Sequence, residues 1–251
     1  MKLSGKVVII TGGARGLGKA YALRLAEEGA RIVAADIADG TGVKEEITKK
    51  GGEAIAVQTD VSNEESVQAM VRAAIERFGR IDVLINNAAL FVALGKRPFY
   101  EISSQEWDQV QAVNVKGTFL CCKAVYPQMK KQGKGKIINV SSATFHQGVP
   151  YFLHYVTSKG GIIGLTRALA REVGNDGISV NTLAPGLTVS ESVQGSTMYP
   201  EESLKMVAGT RCFKRDEVSG DLTGTILFLA SDDSDFITGQ TFVVDGGAVF
   251  N

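Results

Sequence analysis

Residues 7–18 read Val7-Val8-Ile9-Ile10-Thr11-Gly12-Gly13-Ala14-Arg15-Gly16-Leu17-Gly18. The β-branched run indicates a buried strand, and the glycines that follow it permit a tight turn into a helix. Glycines at such a turn let the backbone approach a pyrophosphate, while the helix N-terminus offers unpaired N–H groups and partial positive charge. The spacing is TGxxxGxG and not the common GxGxxG, so an ordinary glycine-rich turn remains the alternative.

The rest of the chain repeats this alternation of short apolar runs and helical patterns. Runs that are apolar throughout predict parallel strands covered on both faces. The predicted strands are residues 7–10, 31–35, 54–58, 83–85, 136–140, 178–182 and 242–244. The predicted helices are residues 16–28, 64–77, 107–131, 154–173 and 220–230. We therefore expect an α/β fold, a Rossmann-like doubly wound parallel sheet of about seven strands with helices on both faces.

One stretch departs from this rhythm. Residues 187–217 lack a clear strand, and a long ordered insertion at the mouth of a ligand crevice usually acts as a lid. The chain shows no repeat or linker, and it is long enough to bury one large core. We predict that residues 1–251 form a single domain with a substrate lid at about 187–217.

Charge and composition exclude several classes of partner. The chain has 27 basic and 27 acidic residues, with no long block of like charge. Neither nucleic acid nor a membrane is therefore expected as a partner, whereas a small molecule is. The N-terminus shows no signal sequence, which predicts a cytoplasmic protein. The three cysteines have no metal-ligand spacing, so no metal site is predicted.

The second predicted strand ends in Asp36, where a dinucleotide-binding carboxylate is expected to bond the adenosine ribose. A carboxylate there repels the extra phosphate of NADP, and the following Ile37 is not basic, so NAD is the predicted cofactor. Arg15 is the opposing signal, because its guanidinium could reach that phosphate. Asp60 and Val61 are placed to meet the adenine, although an aspartate at a strand end commonly forms a turn. The predicted contacts in the glycine loop are Gly12, Arg15, Gly16, Leu17 and Gly18.

A second set of residues indicates proton transfer. Tyr155 and Lys159 form a YxxxK pattern at the start of a predicted helix and project from one face. We expect the ammonium to lower the pKa of the phenol, which is about 10 when unperturbed. Ser142 follows a predicted strand and can donate to a substrate oxygen, with Ser141 as the alternative. Asn114 is unfavourable inside a helix and indicates a kink or a bound water.

These motifs, together with the ending Ile237 to Gly247, resemble the short-chain dehydrogenase/reductase family over nearly the whole chain. The resemblance implies that Tyr155 exchanges a proton with the substrate oxygen, which Ser142 holds. It also implies that Lys159 binds the nicotinamide ribose and that Asn114 positions a water in the proton relay. The implied catalytic residues are Asn114, Ser142, Tyr155 and Lys159.

The resemblance extends to cofactor contacts and assembly. The further implied contacts are Asn87, Ala88, Tyr155, Lys159, Pro185, Gly186, Thr188 and Ser190. Two positions depart from the family pattern, Ala89 where a glycine is usual and Ser190 where a threonine is commoner, but neither removes a proton-transfer group. The family is typically tetrameric through helices that match residues 107–131 and 154–173, which implies a homotetramer.

Hydride transfer to or from nicotinamide makes a secondary alcohol or its ketone the natural substrate. Residues 144–154, with Phe91, Val92 and Leu94, either line the substrate pocket or pack under the lid. His146 and His154 either contact a polar substrate group or pack. The segment resembles family members that oxidise aryl-carbinol or ring-borne alcohols.

The predicted function is therefore that of an NAD-dependent alcohol dehydrogenase or ketone reductase with an aromatic or cyclic substrate. Two alternatives remain on the same fold. One is a 3-oxoacyl-thioester reductase, a class that usually favours NADPH. The other is a nucleotide-binding protein without catalysis, because a fold does not by itself establish a function.

Overall fold

The computed structural model describes residues 1–194 and 198–250. Its strands are β1 (Val7–Thr11), β2 (Arg31–Asp36), β3 (Ala54–Gln58), β4 (Val83–Asn86), β5 (Gly135–Val140), β6 (Ile178–Pro185) and β7 (Thr241–Val244). They form one seven-stranded sheet in the order β3-β2-β1-β4-β5-β6-β7. Every pairing is parallel. The strand order reverses between β1 and β4, since β2 and β3 follow on one side of β1 and β4 to β7 on the other. A ligand crevice is expected at this point.

Helices connect these strands on both faces of the sheet. The helices are α1 (Gly16–Glu27), α2 (Thr41–Lys49), α3 (Glu64–Phe78), α4 (Ser104–Gln111), α5 (Gly117–Gln132), α6 (Ala143–Gln147), α7 (Leu153–Val173), α8 (Glu191–Gln194), α9 (Glu201–Thr210) and α10 (Ser219–Ala230). None of the helices in the described part of the chain combines the length and the apolarity needed to cross a membrane.

The sheet separates two apolar layers. Val7 and Ile9 of β1 pack with residues of α3, α5 and α7, whereas Val8 and Ile10 pack with residues of α1, α2 and α10. All four side chains are completely buried. A strand covered on both faces has no solvent side, which explains why its sequence does not alternate. The predicted fold class, a Rossmann-like doubly wound parallel sheet, is confirmed.

Some element bounds differ from the sequence prediction. Strand β6 was expected to end at residue 182 but continues to Pro185, because its pairing with β7 persists until Pro185 lies opposite Val244. Helix α2 was not predicted at all. It buries only Val43 and Ile47, which is too few apolar residues for a clear helical pattern.

The helix predicted over residues 107–131 is interrupted. Helix α4 ends at Gln111, a π-helical turn occupies Ala112–Lys116, and α5 begins at Gly117. The N–H of Gly117 donates to the carbonyl of Ala112, the longer reach that defines a π turn. Asn114 lies inside this turn, so the irregularity that it indicated is present.

The start of this helix also lies earlier than predicted. Helix α4 begins at Ser104 because the hydroxyl of Ser103 accepts a hydrogen bond from the N–H of Glu106 at 3.1 Å. Such a capping bond satisfies one of the N–H groups that a helix start leaves without a partner.

The segment predicted as a lid contains α8 and α9, and its residues 195–197 lie outside the described residues. Its two ends are tied together. Thr188 pairs with Glu217 in an isolated β-bridge, and the Thr188 hydroxyl donates to Glu217 Oε1 at 2.6 Å. Arg211 Nη2 donates to the carbonyl of Leu187 at 2.8 Å. We call Thr188, Arg211 and Glu217 the neck, because their contacts join the beginning of the segment to its end.

Glu217 is almost completely buried in the neck. Burial raises its pKa to about 7, while the hydrogen bond from Thr188 and the charge of Arg211 act in the opposite direction. The Arg211 Nη2 atom lies 3.9 Å from Glu217 Oε2, and that oxygen accepts no hydrogen bond among the described residues. The charged carboxylate is therefore less stable here than in water.

We expect the variant Glu217→Gln to gain stability relative to the wild type as the pH rises. The folded-state pKa of about 7 exceeds the ordinary value of 4.5, so between these values the folded protein binds the proton more tightly than the unfolded chain does. Stability contributed by this group is present at low pH and is lost as the pH rises through about 7. Glutamine does not titrate, so the variant does not lose this contribution to stability. The Tm difference between the variant and the wild type, measured by calorimetry at about pH 5 and about pH 8, checks the prediction.

Glu201→Gln is the matched control for this prediction. Glu201 begins α9 in the same segment, but its pKa is lowered by a hydrogen bond and the charge of Lys205. Its Tm difference from the wild type should not rise over the same pH range. A pH-independent Tm difference for Glu217→Gln would show that the neck carboxyl titrates normally.

Candidate active site

A cavity of about 750 Å³ lies at the carboxyl ends of the strands. The loops after β1 to β6 all contribute to its lining, because the carboxyl ends of parallel strands meet at one edge of a sheet. Of the predicted catalytic residues, Ser142, Tyr155 and Lys159 line it and Asn114 does not. The predicted cofactor contacts that line it are Gly12, Arg15, Gly16, Leu17, Asp36, Asp60, Val61, Asn87, Ala88, Tyr155, Lys159, Pro185, Gly186, Thr188 and Ser190.

The glycine loop forms a cradle at one end of the cavity. Gly12 and Gly16 have left-handed φ values of 63° and 55°, a region that favours glycine. A Cβ atom at Gly12 would lie 2.9 Å from the Cα of Ala88. The N-cap residue of α1 is Arg15, whose side chain makes no capping bond, so the first N–H groups of α1 remain available to a ligand.

Gly18 lies outside the cavity lining, although the sequence prediction counted it among the ligand contacts. A Cβ atom at Gly18 would lie 2.0 Å from the carbonyl oxygen of Gly12, closer than atoms can approach. Glycine is needed here so that α1 can pack against the loop. Its structural contribution is to hold the cradle in shape.

Asn87 ties the loop after β4 to the glycine loop. Its Nδ2 donates to the carbonyls of Thr11 at 3.0 Å and Gly12 at 3.1 Å. The Thr11 hydroxyl in turn accepts from the N–H of Asn87 at 3.0 Å and of Ala88 at 3.1 Å. These bonds hold the two loops on either side of the crevice at a set separation.

The carboxylate of Asp36 faces the same end of the cavity and braces the glycine loop. Its Oδ2 accepts from the N–H of Ala14 and its Oδ1 from the N–H of Ala38, both at 3.0 Å. Each carboxylate oxygen has a second lone pair, so acceptor capacity remains for ribose hydroxyls. Arg15 and Ile37 line this end as well.

The side chain of Asp60 stabilises a turn, which was the alternative to a contact with the adenine. Its Oδ1 accepts from the N–H of Ser62 at 2.9 Å and from the Ser62 hydroxyl at 2.7 Å. Asp60 and Val61 nevertheless line the cavity, next to the end of β3.

Tyr155 and Lys159 lie on one face of α7, and both are buried. Lys159 Nζ donates to the carbonyl of Val140 at 2.8 Å and lies 5.5 Å from the centroid of the Tyr155 ring. The end of β5 therefore fixes the ammonium beside the phenol. Burial lowers the pKa of Lys159 to about 8, which leaves the side chain mostly charged at neutral pH.

The pKa of Tyr155 differs from the sequence expectation. Burial raises it, and the interaction that opposes the rise is a hydrogen bond with Ser142. Lys159 was expected to lower this pKa below its ordinary value. The expectation is wrong for the protein alone, because removing the phenolate from water costs more than its neighbours recover.

The two serines after β5 have different contacts. The Ser141 hydroxyl donates to the carbonyl of Lys159 at 2.7 Å and so anchors α7. The Ser142 hydroxyl accepts from the N–H of Thr144 at 3.2 Å and also reaches the phenol of Tyr155. This arrangement favours Ser142 as the group that contacts a substrate oxygen.

Asn114 connects three elements from a buried position beside the cavity. Its Oδ1 accepts from the N–H of Leu90 at 2.8 Å. Its Nδ2 donates to Ser158 Oγ at 3.1 Å and to the carbonyl of Leu90 at 3.3 Å. The side chain thereby joins the π turn, the loop after β4 and α7, and it has little capacity left for a water.

Four aromatic side chains pack together around Tyr155, and we call them the aromatic wall: Phe91, Phe152, Tyr155 and Tyr199. The Phe91 ring lies 5.2 Å from the ring of Tyr155 and 5.8 Å from that of Tyr199, and the Phe152 ring stacks on Tyr155 at 4.8 Å. All four rings line the cavity. Phe91 and Phe152 thus both pack in the protein and present surface to the cavity.

Of four other residues considered for the substrate pocket, Val92, Leu94, His146 and His154, one lines the cavity and three do not. Val92 lines the cavity, whereas Leu94 is buried behind it. His154 is completely buried with its Nε2 atom 3.2 Å from Glu106 Oε1, which is a packing role. His146 does not line the cavity either.

Several polar residues that line the cavity had no individual assignment from the sequence, among them Thr59, Lys96, Tyr199 and Ser203. Thr144 and Gln147 belong to the segment 144–154, which was expected either to line the pocket or to pack under the lid, and both line the cavity. Tyr199 and Lys96 belong to loops without a regular pattern, so only the folded structure brings them to the cavity.

Comparisons with known proteins agree with this geometry. The family model adh_short_C2, described as "Enoyl-(Acyl carrier protein) reductase", matches residues 12–249. The 3-oxoacyl-[acyl-carrier-protein] reductase FabG of Staphylococcus aureus is 39% identical over 251 residues, which cover 98% of this chain and 99% of the relative. An uncharacterized oxidoreductase of Thermotoga maritima is 40% identical over 253 residues, with 99% of both chains covered.

A solved structure gives the same result at the level of the fold. The crystal structure of levodione reductase matches with a TM-score of 0.92 and 32% sequence identity, over 97% of each chain. The relatives are named as reductases or oxidoreductases, and the matches extend over nearly the whole chain. The chain therefore belongs to the short-chain dehydrogenase/reductase family and is an oxidoreductase.

Proposed function

We propose that this protein is an NAD-dependent dehydrogenase or reductase that interconverts a secondary alcohol and its ketone, with Tyr155 as the acid/base. The observation that carries the proposal is the position of Ser142, Tyr155 and Lys159 in one cavity with the glycine cradle and Asp36. A proton-transfer group and a nucleotide cradle in one cavity suit hydride transfer coupled to proton transfer.

The residues of the cradle fit a dinucleotide. Two left-handed glycines, the free N–H groups at the start of α1 and the carboxylate of Asp36 match a pyrophosphate followed by a ribose. Lys159 donates to Val140 with one of its three N–H groups, which leaves donors for the second ribose. When bound, NAD supplies the hydride acceptor and the positive charge of an oxidised nicotinamide.

The remaining chemistry belongs to the protein's own residues. In oxidation, Ser142 donates a hydrogen bond to the substrate oxygen while the phenolate form of Tyr155 takes its proton and the carbinol carbon loses a hydride. In reduction, Tyr155 returns a proton to the oxygen that develops negative charge. Since burial disfavours the phenolate, the nearby ammonium of Lys159 stabilises it during transfer.

Asn114 supports this site indirectly. The family resemblance implies a water of the proton relay beside it, but its side chain is occupied by Leu90 and Ser158. We place the water on a backbone carbonyl of the π turn, where the regular helical ladder is interrupted.

Two further parts of the proposal concern assembly and access. Residues 1–251 act as one domain, and the 187–217 segment serves as a lid, since it contributes Tyr199 to the aromatic wall. The protein is a cytoplasmic homotetramer. Support for assembly comes from Phe119 of α5, which exposes half of its surface on one of the helices expected at the interface.

A second candidate is the reduction of a 3-oxoacyl thioester, which the name of the Staphylococcus aureus relative favours. Asp36 is the observation against it, because a carboxylate at this position disfavours NADPH. A nucleotide-binding protein without catalysis has less support, since Ser142, Tyr155 and Lys159 remain together in the cavity.

The first test replaces the proposed acid/base. Tyr155→Phe removes the hydroxyl that carries the proton and should lower kcat for alcohol oxidation by at least about a hundredfold. NADH binding, measured by protein fluorescence, should be unchanged within about twofold. The matched control is Tyr100→Phe, because Tyr100 is exposed and outside the cavity lining. If Tyr155→Phe retains the kcat of the wild type, Tyr155 is not the acid/base.

The second test concerns the choice of cofactor. The wild type should use NAD with a kcat/KM well above that for NADP, and Asp36→Asn should narrow this ratio by about tenfold by removing the repelling charge. Steady-state rates with both cofactors measure the ratio. Asp39→Asn is the control, since Asp39 is exposed and bonds only Thr41. Equal use of both cofactors by the wild type would favour the thioester candidate.

The third test ranks substrates. Because the aromatic wall adjoins Tyr155, 1-phenylethanol should be oxidised with a higher kcat/KM than 2-butanol. Tyr199→Ala should reduce the advantage of the aromatic alcohol and leave 2-butanol nearly unaffected. The formation of NADH gives both rates. Faster turnover of 2-butanol, or of acetoacetyl-CoA with NADPH, would overturn the substrate assignment.

A further inference from the structure

Lys96 contributes an ammonium group to the cavity lining. Its Nζ lies 5.6 Å from the centroid of the Tyr199 ring, within the range of a cation–π contact. Tyr199 stacks on Phe91, and Phe91 contacts Tyr155. The ammonium is therefore two ring contacts away from the proposed acid/base, along the aromatic wall.

The backbone on both sides of Lys96 is anchored. Leu94 is buried, and its N–H donates to the carbonyl of Phe91 at 3.0 Å. The N–H of Arg97 donates to the carbonyl of Tyr151 at 2.9 Å, and its guanidinium lies 3.1 Å from Glu106. Arg97 is thus already paired with a carboxylate, while Lys96 is exposed and contacts the ring of Tyr199.

No carboxylate of the described residues lies within ion-pair distance of the Lys96 ammonium. The acidic residues among the described cavity lining are Asp36 and Asp60, and both belong to the nucleotide end. Ser142, Thr144 and Gln147, which also line the cavity, are neutral, and the cation beside Tyr155 is Lys159, whose ammonium donates to the carbonyl of Val140. The substrate half of the cavity therefore has a positive potential, which a partly enclosed cleft strengthens.

Another cation of the described cavity lining, Arg211, is already occupied. Its Nη1 and Nη2 donate to the carbonyls of Arg215 and Leu187, and it also faces Glu217 in the neck. One unpaired ammonium at the end of an aromatic surface suits a single negative charge, as a carboxylate has at neutral pH, better than a phosphate with two.

We infer that Lys96 is a specificity determinant that binds a carboxylate of the substrate. The substrate class is then a secondary alcohol, or its ketone, whose ring packs on Phe91 and Tyr199 and carries a carboxylate on the side away from the reacting carbon. This inference rests on the proposed function for the reacting end of the molecule, and it adds the group at the other end.

A matched pair of substrates tests the role of Lys96. The acid 4-(1-hydroxyethyl)benzoate and its methyl ester differ in charge and share the reacting carbinol and the ring. The wild type should favour the acid by about fivefold in kcat/KM, the size expected of a partly exposed ion pair. Lys96→Met should abolish the preference through a higher KM for the acid, with kcat nearly unchanged. Lys96→Arg should restore it, and added salt should weaken it.

Lys44→Met is the control, since Lys44 is an exposed lysine of α2 outside the cavity lining and its loss changes the net charge equally. The preference for the acid should survive in this variant. If Lys96→Met changes the rates for acid and ester by the same factor, or if the wild type shows no preference for the acid, Lys96 does not bind the substrate carboxylate.

Binding separates failure of this inference from failure of the proposed function. Calorimetry with 4-acetylbenzoate and its methyl ester, in the presence of NAD, which cannot reduce a ketone, reports affinity without turnover. If neither alcohol is oxidised, the proposed function fails, yet an acid-over-ester preference in Kd that is lost in Lys96→Met still supports the carboxylate site. Equal Kd values for acid and ester, or no binding of either, overturn the inference.

Discussion

A parallel sheet that is covered on both faces leaves its carboxyl edge as the place where polar groups from distant parts of the chain can meet. Strand β1 lies between β2 and β4, and its apolar residues are buried in both layers. The alignment places the glycine cradle, Asp36, Ser142 and Pro185 at one edge. Without this register the cradle and the proton-transfer residues would not share a cavity.

The same burial that assembles the site works against its chemistry. Enclosure raises the pKa of Tyr155 and lowers that of Lys159, because both charged forms lose contact with water. Around the phenol, the contact that opposes this effect is the hydrogen bond with Ser142, and the Lys159 ammonium is held nearby by Val140. In the proposed reaction, Tyr155 therefore needs further stabilisation of its phenolate from the bound substrate and cofactor.

The two halves of the cavity are enclosed by different means. Backbone geometry and hydrogen bonds between Thr11, Gly12 and Asn87 shape the nucleotide half. Side chains from separate loops shape the substrate half, where Phe91 stacks on Tyr199 of the segment that the neck secures. This difference explains why relatives with the same fold can carry the names of reductases with different substrates.

The sequence by itself determined the succession of the seven strands and of the longer helices, the glycine loop, the irregularity at Asn114 and the spacing of Tyr155 and Lys159, since each is a local property of the chain. Only the tertiary structure decided that Gly18 packs under the loop, that the Asn114 side chain is occupied and that burial raises the pKa of Tyr155. It also brought Lys96 to Tyr199. The reason is physical: local patterns record preferences between neighbours along the chain, whereas burial and long-range contacts arise when distant segments pack together.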